Sequence, residues 1–376
     1  MRKHWRQWWL RCHLYLGLSL GFLFSLLGLT GALLVFYLDI ETVLEPGTGI
    51  RSAPSVAVDL DRVLSTVRAQ YPQHKGPWRL EMPLHPFDPV RLRYPQPEER
   101  SKAHFAPLLL TMAPDTREVS SQKYWGDSGM TWVYDLHYSL LLGREGKTGV
   151  GFAGLFLLVS LTAGLYLWWP RARHAFKALK PVVRSSPVKR IYDVHVLSGV
   201  YFSAVLLTVC LTGVVLVWPQ ETRGLLSRVA TLQPPPHPSP GPSVPGAAPW
   251  TLHAAAAKAQ ALFPHAELRW VHSSGAAGEP LTIRLYQPGE PGRRFPSTQV
   301  WLHSQTGEVL AVRDGLALPW AEQVLRWMHP LHNGEALGLF GRWLVLLSGL
   351  SLPLLWVTGI VRWQHKRAAK RQVRQR

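Results

Sequence analysis

Residues 13–36, HLYLGLSLGFLFSLLGLTGALLVF, return at residues 195–218 as HVLSGVYFSAVLLTVCLTGVVLVW. At a constant offset of 182 and without a gap, His13 matches His195, Gly17 matches Gly199, Thr30-Gly31 matches Thr212-Gly213 and Phe36 matches Trp218. Apolar stretches resemble one another cheaply, because leucine meets leucine by chance. Agreement in His, Gly and an aromatic is much harder to obtain that way. A second pair of segments repeats at an offset of 195: Leu136-His137 with Leu331-His332, Leu142-Gly143 with Leu337-Gly338, Gly146 with Gly341, Gly164 with Gly359, and Trp168 with Trp363. Each half of the chain holds two of the repeated histidines, one at the start of each apolar segment, and little else that is reactive repeats.

The chain has 376 residues, 47% of them hydrophobic, concentrated in runs at about 14–38, 149–169, 194–218 and 338–361. Crossing a bilayer takes about 20 apolar residues, and the one Lys, Arg, Asp or Glu in these runs is Arg342. The expectation is an α-helical integral membrane protein with four transmembrane helices in two tandem repeats. The net charge of +18 is equally localised. Residues 1–12, 170–190 and 362–376 carry four, seven and seven Lys or Arg and no acid, while the two signs balance elsewhere.

Positive flanks stay in the cytoplasm, which places both termini and the middle loop inside and the segments at about 40–135 and 219–335 outside. A basic chain also raises nucleic-acid binding. The excess sits only where topology requires it, so the lipid bilayer is the expected partner and nucleic acid is not. The first apolar run is too long for a signal-peptide core and no small-x-small site follows it, so it reads as an uncleaved helix. Cys12 and Cys210 are the two cysteines, and with none in the outside segments neither disulfides nor a thiolate cluster are expected there.

These signals divide the chain. Residues 1–39 are the N-terminal flank and first helix, 40–132 the first outside domain, 133–170 a His-bearing segment with the second helix, and 171–190 the basic inner loop. Residues 191–219 are the third helix, 220–326 the second outside domain, 327–363 a second His-bearing segment with the fourth helix, and 364–376 the basic tail. In the outside domains, DLDRVLSTVRAQYP at 59–72 and TLHAAAAKAQALFP at 251–264 read as helices ending at an aromatic-Pro pair. Strand-like runs follow at 91–94 and 108–112, and at 268–272, 281–286 and 299–302, the last leading through a T-G turn in SQTGEVLAV to another β-rich run. Each outside domain reads as α+β. The segment QPPPHPSPGPSVPGAAP at 233–249 reads as an extended, mobile linker.

On the charge-derived topology, His13 and His195 begin helices at the inner side, and His137 and His332 precede helices at the outer side. That gives two layers, each with two equivalent histidines from different halves, and a pseudo-twofold axis along the membrane normal would bring each pair face to face. Two facing imidazoles in apolar surroundings suit the iron of a b-type haem. Zinc takes three or four ligands, normally with Cys or carboxylate, and no third such group repeats. Gly17 and Gly199 stand at i+4 from His13 and His195 and open room for a macrocycle, although small residues also serve close helix packing. The remaining histidines are given no cofactor role, except that His329, whose counterpart is Tyr134, is an alternative to His332 as ligand or a residue for substrate or proton chemistry. His332 is preferred. Trp132, Trp320 and Trp327 are either interfacial anchors or the lining of an acceptor site.

The motif at 13–36, LHYSLLLGREGKTG at 136–149, LHNGEALGLFGRW at 331–343 and WVTGIVRW at 356–363 resemble the PepSY-associated transmembrane family. The resemblance implies that both outside domains are PepSY-like modules in the periplasm and that the chain sits in a bacterial inner membrane. It implies two b-type haems ligated by His13 with His195 and by His137 with His332. Relatives of this architecture include reductases of periplasmic ferric siderophores, so the implied function is a di-haem oxidoreductase that takes electrons from an unidentified cytoplasmic or membrane donor. The alternative is a non-enzymatic, membrane-anchored PepSY accessory or sensor protein whose histidines are structural. A secondary transporter fits poorly, because the four runs offer neither a midplane charge nor a broken helix for an ion path.

Overall fold

The structure, a computed structural model, describes residues 2–44, 58–85, 88–103, 105–112, 118–169, 186–275 and 279–375. In chain order the first half contains α1 Arg2–Ser19, α2 Gly21–Leu34, α3 Tyr37–Leu44, α4 Leu60–Gln70, β1 Arg79–Glu81, β2 Val90–Tyr94, β3 Leu108–Met112, β4 Val119–Tyr124, α5 Gly129–Ser139 and α6 Gly143–Trp168. The second contains α7 Pro187–Val217, α8 Pro219–Leu226, α9 Leu252–Leu262, β5 Glu267–His272, β6 Pro280–Tyr286, β7 Thr298–His303, β8 Val309–Arg313, α10 Trp320–His332 and α11 Gly338–Arg374. Most of the basic loop expected at 171–190 falls outside the described residues, and from Pro187 onward it is already helix.

The chain forms two compact units. A helical unit comprises Met1–Tyr37, Val133–Thr222 and Met328–Arg376, and a sheet unit comprises Leu38–Trp132 and Arg223–Trp327. In the helical unit, α6, α7 and α11 with its leading turn are each long and apolar enough to cross a membrane, and α1 with α2 is a fourth if the pair counts as one span. That pair is bent by 65°, where the sequence reads as one helix over 14–38. The break falls at Leu20, between Ser19 and Gly21, and Gly/Ser pairs are a recurrent cause of kinks. Glycine is also required there sterically, because a side chain at Gly21 would collide with the Trp356 indole.

Within this unit α2 packs on α11, α6 on α7, α7 on α11 and α1 on α6, around Phe24, Leu157, Leu161, Leu206 and Leu352. Lipid gives helices no hydrophobic reason to associate, so close backbone approach has to do it. Gly28 and Gly349 supply that approach. A Cβ on Gly28 would lie 2.7 Å from the Gly349 carbonyl oxygen, and one on Gly349 would lie 2.6 Å from that of Gly28. Large apolar side chains such as Phe22, Phe340 and Trp343 remain exposed on the unit, as lipid-facing residues do. The protein is a multi-pass membrane protein.

The sheet unit joins what the sequence suggests as two separate α+β domains into one eight-stranded antiparallel sheet, ordered β4-β3-β2-β1-β5-β6-β7-β8. The junction is β1 against β5, with Leu80 opposite Val271. Helices α4 and α9 cover one face of the sheet. Val63, Leu64 and Val67 from α4 and Ala255, Ala256 and Ala259 from α9 pack on Leu80, Leu92, Val271, Ile283 and Val300. Asp59 caps α4 through the Arg62 amide, and Thr251 caps α9 through that of Ala254. Asp61 of α4 also accepts the Leu252 and His253 amides at 2.6 and 3.1 Å, which ties the start of α9 to the first half. Residues 233–249 have neither helix nor strand, but their C-terminal end is held, because Gln305 bonds the backbone of Val244 and Ala247.

Candidate functional site

The four duplicated histidines all belong to the helical unit, and the fold brings them together in two pairs. His13 on α1 faces His195 on α7 with ring centroids 6.2 Å apart and planes at 80°. His137 on α5 faces His332 on α10, also at 6.2 Å, with planes at 53°. Each pair takes one ring from each half of the sequence. Of the two candidates on α10, it is His332 whose ring stands against His137.

The hydrogen bonds at the other side of each ring fix what these histidines can do. His13 Nδ1 donates to the Ser160 carbonyl at 2.9 Å. His195 Nδ1 donates to the Leu355 carbonyl at 3.1 Å and lies 3.0 Å from Thr358 Oγ1. His332 Nδ1 donates to the Val209 carbonyl at 2.9 Å, with Thr212 Oγ1 at 3.2 Å. His137 Nδ1 lies 3.0 Å from Thr30 Oγ1, with the Leu27 carbonyl acting on the same imidazole. A carbonyl can only accept, so in the neutral ring each Nδ1 carries the proton and each Nε2 is left with its lone pair. The threonine hydroxyls agree with this, since each spends its own proton on a carbonyl of its helix: Thr30 on Leu26, Thr212 on Thr208 and Thr358 on Leu354. An imidazole held by Nδ1–H to a carbonyl, with Nε2 free, is the arrangement of a metal-ligating histidine.

The partners repeat as the histidines do. Leu27 with Val209 and Thr30 with Thr212 are each 182 residues apart, while Ser160 and Leu355 are 195 apart. Four glycines let the rings sit flush against neighbouring helices. A Cβ at Gly31 would come within 2.9 Å of His137 Cε1, and one at Gly213 within 2.9 Å of His332 Cε1. At Gly164 and Gly359 it would stand 3.3 and 3.4 Å from His13 and His195. Gly17 and Gly199, which the sequence marks as room for a macrocycle, lie away from these ring contacts. A side chain at Gly17 would meet nothing within 4 Å, and one at Gly199 would touch Leu355 at an ordinary 3.6 Å. The contact glycines and the Nδ1 partners carry no reactive group, so the duplication is the one sequence signal that marks them.

The donor set fits a bis-imidazole iron. A metal–imidazole bond is about 2 Å and a ring centroid lies about 1.2 Å beyond its nitrogen, so an ion shared by two rings would allow their centroids up to about 6.4 Å of separation, against the observed 6.2 Å in both pairs. Among the described residues no cluster of three or more His, Cys, Asp or Glu could hold an ion. His13, His195, His137 and His332 would hold the iron of two haems. Arg362, whose guanidinium lies 4.3 Å over the Tyr192 ring, acts electrostatically on both His13 and His195 and puts a positive charge beside that pair.

His329 lies on α10 one turn before His332. Trp132, Trp320 and Trp327 belong to the sheet unit, with 47%, 62% and 40% of their surface exposed. No curated protein matches the chain. The sequence profile of the PepSY-associated TM region does, over residues 10–366. That span takes in both histidine pairs, their carbonyl and threonine partners and the whole sheet unit, and the chain belongs to the PepSY-associated transmembrane family.

Proposed function

We propose that this protein is a di-haem oxidoreductase of a bacterial inner membrane that passes electrons across the bilayer to a ferric siderophore in the periplasm and so releases its iron. One observation carries the reading: two histidine pairs at one common spacing, each with Nδ1 committed to a helix carbonyl or threonine and Nε2 left free. Bound between each pair, haem iron supplies reversible one-electron transfer.

The chain's own residues do the rest. His195 and Thr212, the latter bonded to His332, are 17 residues apart on α7, about 25 Å along the helix. The pairs therefore stand at two depths, and a single pair would leave one side unconnected. The Nδ1 bonds hold each ring in one tautomer and orientation, and raise its basicity as a ligand. Leu157, Leu161, Leu206 and Leu352 exclude water from the unit's core. The basic flanks support a cytoplasmic place for both termini and a periplasmic one for the sheet unit. Oxygen chelators hold hard ferric iron far more tightly than ferrous iron, so reduction is itself a release step.

The test is a haem-to-protein ratio and a dithionite-reduced spectrum of the purified protein, repeated for His13→Ala and His137→Ala. Two b-type haems per chain are expected, with one lost in each variant. Reduced protein mixed with a ferric siderophore should reoxidise and yield ferrous iron. Absent haem absorbance, or a spectrum unchanged in both variants, refutes the proposal and leaves a non-enzymatic accessory protein.

A further inference from the structure

The sheet has two faces, and the helices cover one. On the other, strand pairing sets Arg93, Arg79 and His272 side by side in one row, because Arg79 is opposite both Arg93 and His272. The adjacent row runs Arg91, Glu81, Trp270, Arg284, through the pairs Glu81–Arg91, Glu81–Trp270 and Trp270–Arg284. Directly opposed residues of antiparallel strands share a face, so four arginines, one carboxylate, a tryptophan and a histidine occupy one patch where β2, β1, β5 and β6 meet. The patch is complete only because the two halves share a sheet.

Its interior bonding is unfinished. Nε of Arg79, Arg93 and Arg284 and Nε2 of His272 are buried with no hydrogen-bond partner. Arg79 is held by Glu81 at 2.6 Å, and no second carboxylate lies in these two rows. The guanidinium groups of Arg79 and Arg284 stand over Trp270 at 4.3 and 4.9 Å, which fixes two planar forks around one indole. Burial pushes both guanidinium groups down to about 10, so these are charges held out of water without enough counter-charge. A purely structural cluster would satisfy its donors, because buried unmet donors cost stability. The polybasic clusters that bind lipid headgroups are exposed runs of Lys and Arg beside a membrane helix, whereas this patch is half-buried, spread over four strands and set on an aromatic plate.

We infer that the Arg79–Arg91–Arg93–Arg284 patch on Trp270 binds a rigid polyanion bearing oxygens on aromatic rings. On the reading above, on which this identification rests, that ligand is an anionic catecholate-type ferric chelate. Guanidinium forks pair bidentately with such oxygens, the buried indole backs the two forks from beneath, and Phe295, 5.6 Å from Trp270 and 40% exposed, offers a face for its rings.

The full-length protein in nanodiscs of neutral lipid tests this with gallium(III) chelates, which bind as the ferric ones do but take no electron. Tryptophan quenching or calorimetry would compare a trianionic tris-catecholate complex with a neutral tri-hydroxamate complex, and soluble dihexanoyl phosphatidylglycerol would serve as a lipid-phosphate competitor. The anionic chelate should bind at least about tenfold more tightly than the neutral one, and added salt should weaken that preference. Arg284→Gln and Arg93→Gln should abolish the preference, and Arg284→Lys, which keeps the charge but loses the fork, should fall between.

Equal binding of the two chelates, or a preference untouched in folded variants, overturns the inference. Arginine-dependent capture of the phospholipid with no chelate binding overturns it in favour of a headgroup site. Should neither variant fold, the charge and salt preference of the unsubstituted protein decides. Since gallium binding needs no haem, chelate binding by a protein without haem would sink the reductase and spare this site, and the reverse result would do the opposite.

Discussion

The glycines behind the histidine rings allow a test that separates the two pairs. Carbon atoms in contact settle about 3.5–4.0 Å apart. A methyl at Gly31 would stand 2.9 Å from His137 Cε1, so the Gly31→Ala ring must retreat by at least about 0.6 Å. His137 Nδ1 is 3.0 Å from Thr30 Oγ1, and a retreat of that size takes the bond past about 3.5 Å, where it no longer counts as one. Gly213→Ala does the same to His332, also from 2.9 Å. At Gly164 and Gly359 the starting distances are 3.3 and 3.4 Å, so a shift of about 0.1–0.2 Å suffices. Disturbing the bond that orients a ligating histidine lowers metal affinity by about 10–100-fold. Gly31→Ala and Gly213→Ala are therefore expected to weaken one haem centre by that factor, and Gly164→Ala and Gly359→Ala to change the other by a few-fold at most. Haem loading against apomyoglobin as competitor, centre by centre in a redox titration, measures both. Alanine is about 1 kcal/mol better than glycine inside a helix, so a loss at Gly31 cannot come from helix propensity. Equal losses at all four positions, or loss of the His13–His195 centre alone in Gly31→Ala, would refute the reasoning.

Three further outcomes follow from the same contacts. Thr358→Val removes the hydroxyl 3.0 Å from His195 Nδ1 but leaves the Leu355 carbonyl at 3.1 Å, so the haem should stay bound with its affinity reduced less than about tenfold, as the same competition assay would show. Asp61→Ala strips two backbone bonds from the start of α9 and should cost about 1–2 kcal/mol, read as a lower unfolding midpoint, with Asp61→Asn recovering most of it. Burial lowers the His272 pKa from 6.5 to about 3, so below pH 6.5 the unfolded chain takes up a proton here that the folded chain refuses. This contribution is complete above about pH 6.5 and is lost toward pH 3 at about 1.4 kcal/mol per pH unit. Between pH 7 and pH 5 the native protein should lose about 2 kcal/mol more than His272→Gln in urea unfolding followed by tryptophan fluorescence, and parallel losses would contradict it.

Legibility in the sequence tracked how far each feature depends on local pattern. The helices α4 and α9 announce themselves by Asp59 and Thr251 at one end and an aromatic-Pro pair at the other, the strands carrying Leu92 or Ile283 by apolar alternation, and the one carrying Leu110 by a short apolar run. β1 was not legible because three residues, RLE, leave no room for a period. β4, VSSQKY, is a polar edge strand whose sequence resembles a loop. With β1 hidden, so is the β1–β5 junction, and with it the single sheet that the two α+β segments share. The break at Leu20 is likewise tertiary in origin, since the Trp356 indole that demands Gly21 lies more than 300 residues away in the chain.

The site shows why the duplication counts for more than any single motif. Each half positions its own histidines with its own groups: Ser160 and Gly164 hold His13, Thr30 and Gly31 hold His137, and Leu355, Gly359, Thr212 and Gly213 do the same for His195 and His332. Each pair, however, is assembled across the halves. Each half therefore supplies one imidazole to each pair and completes neither. The sheet repeats this logic, because Arg79 and Arg93 come from the first half and Trp270, His272 and Arg284 from the second. The histidine pairs and the arginine patch thus both require the halves to be joined. In the duplicated α5 and α10 segments the register breaks at His329, opposite Tyr134, and the rings that pair there are those of His137 and His332.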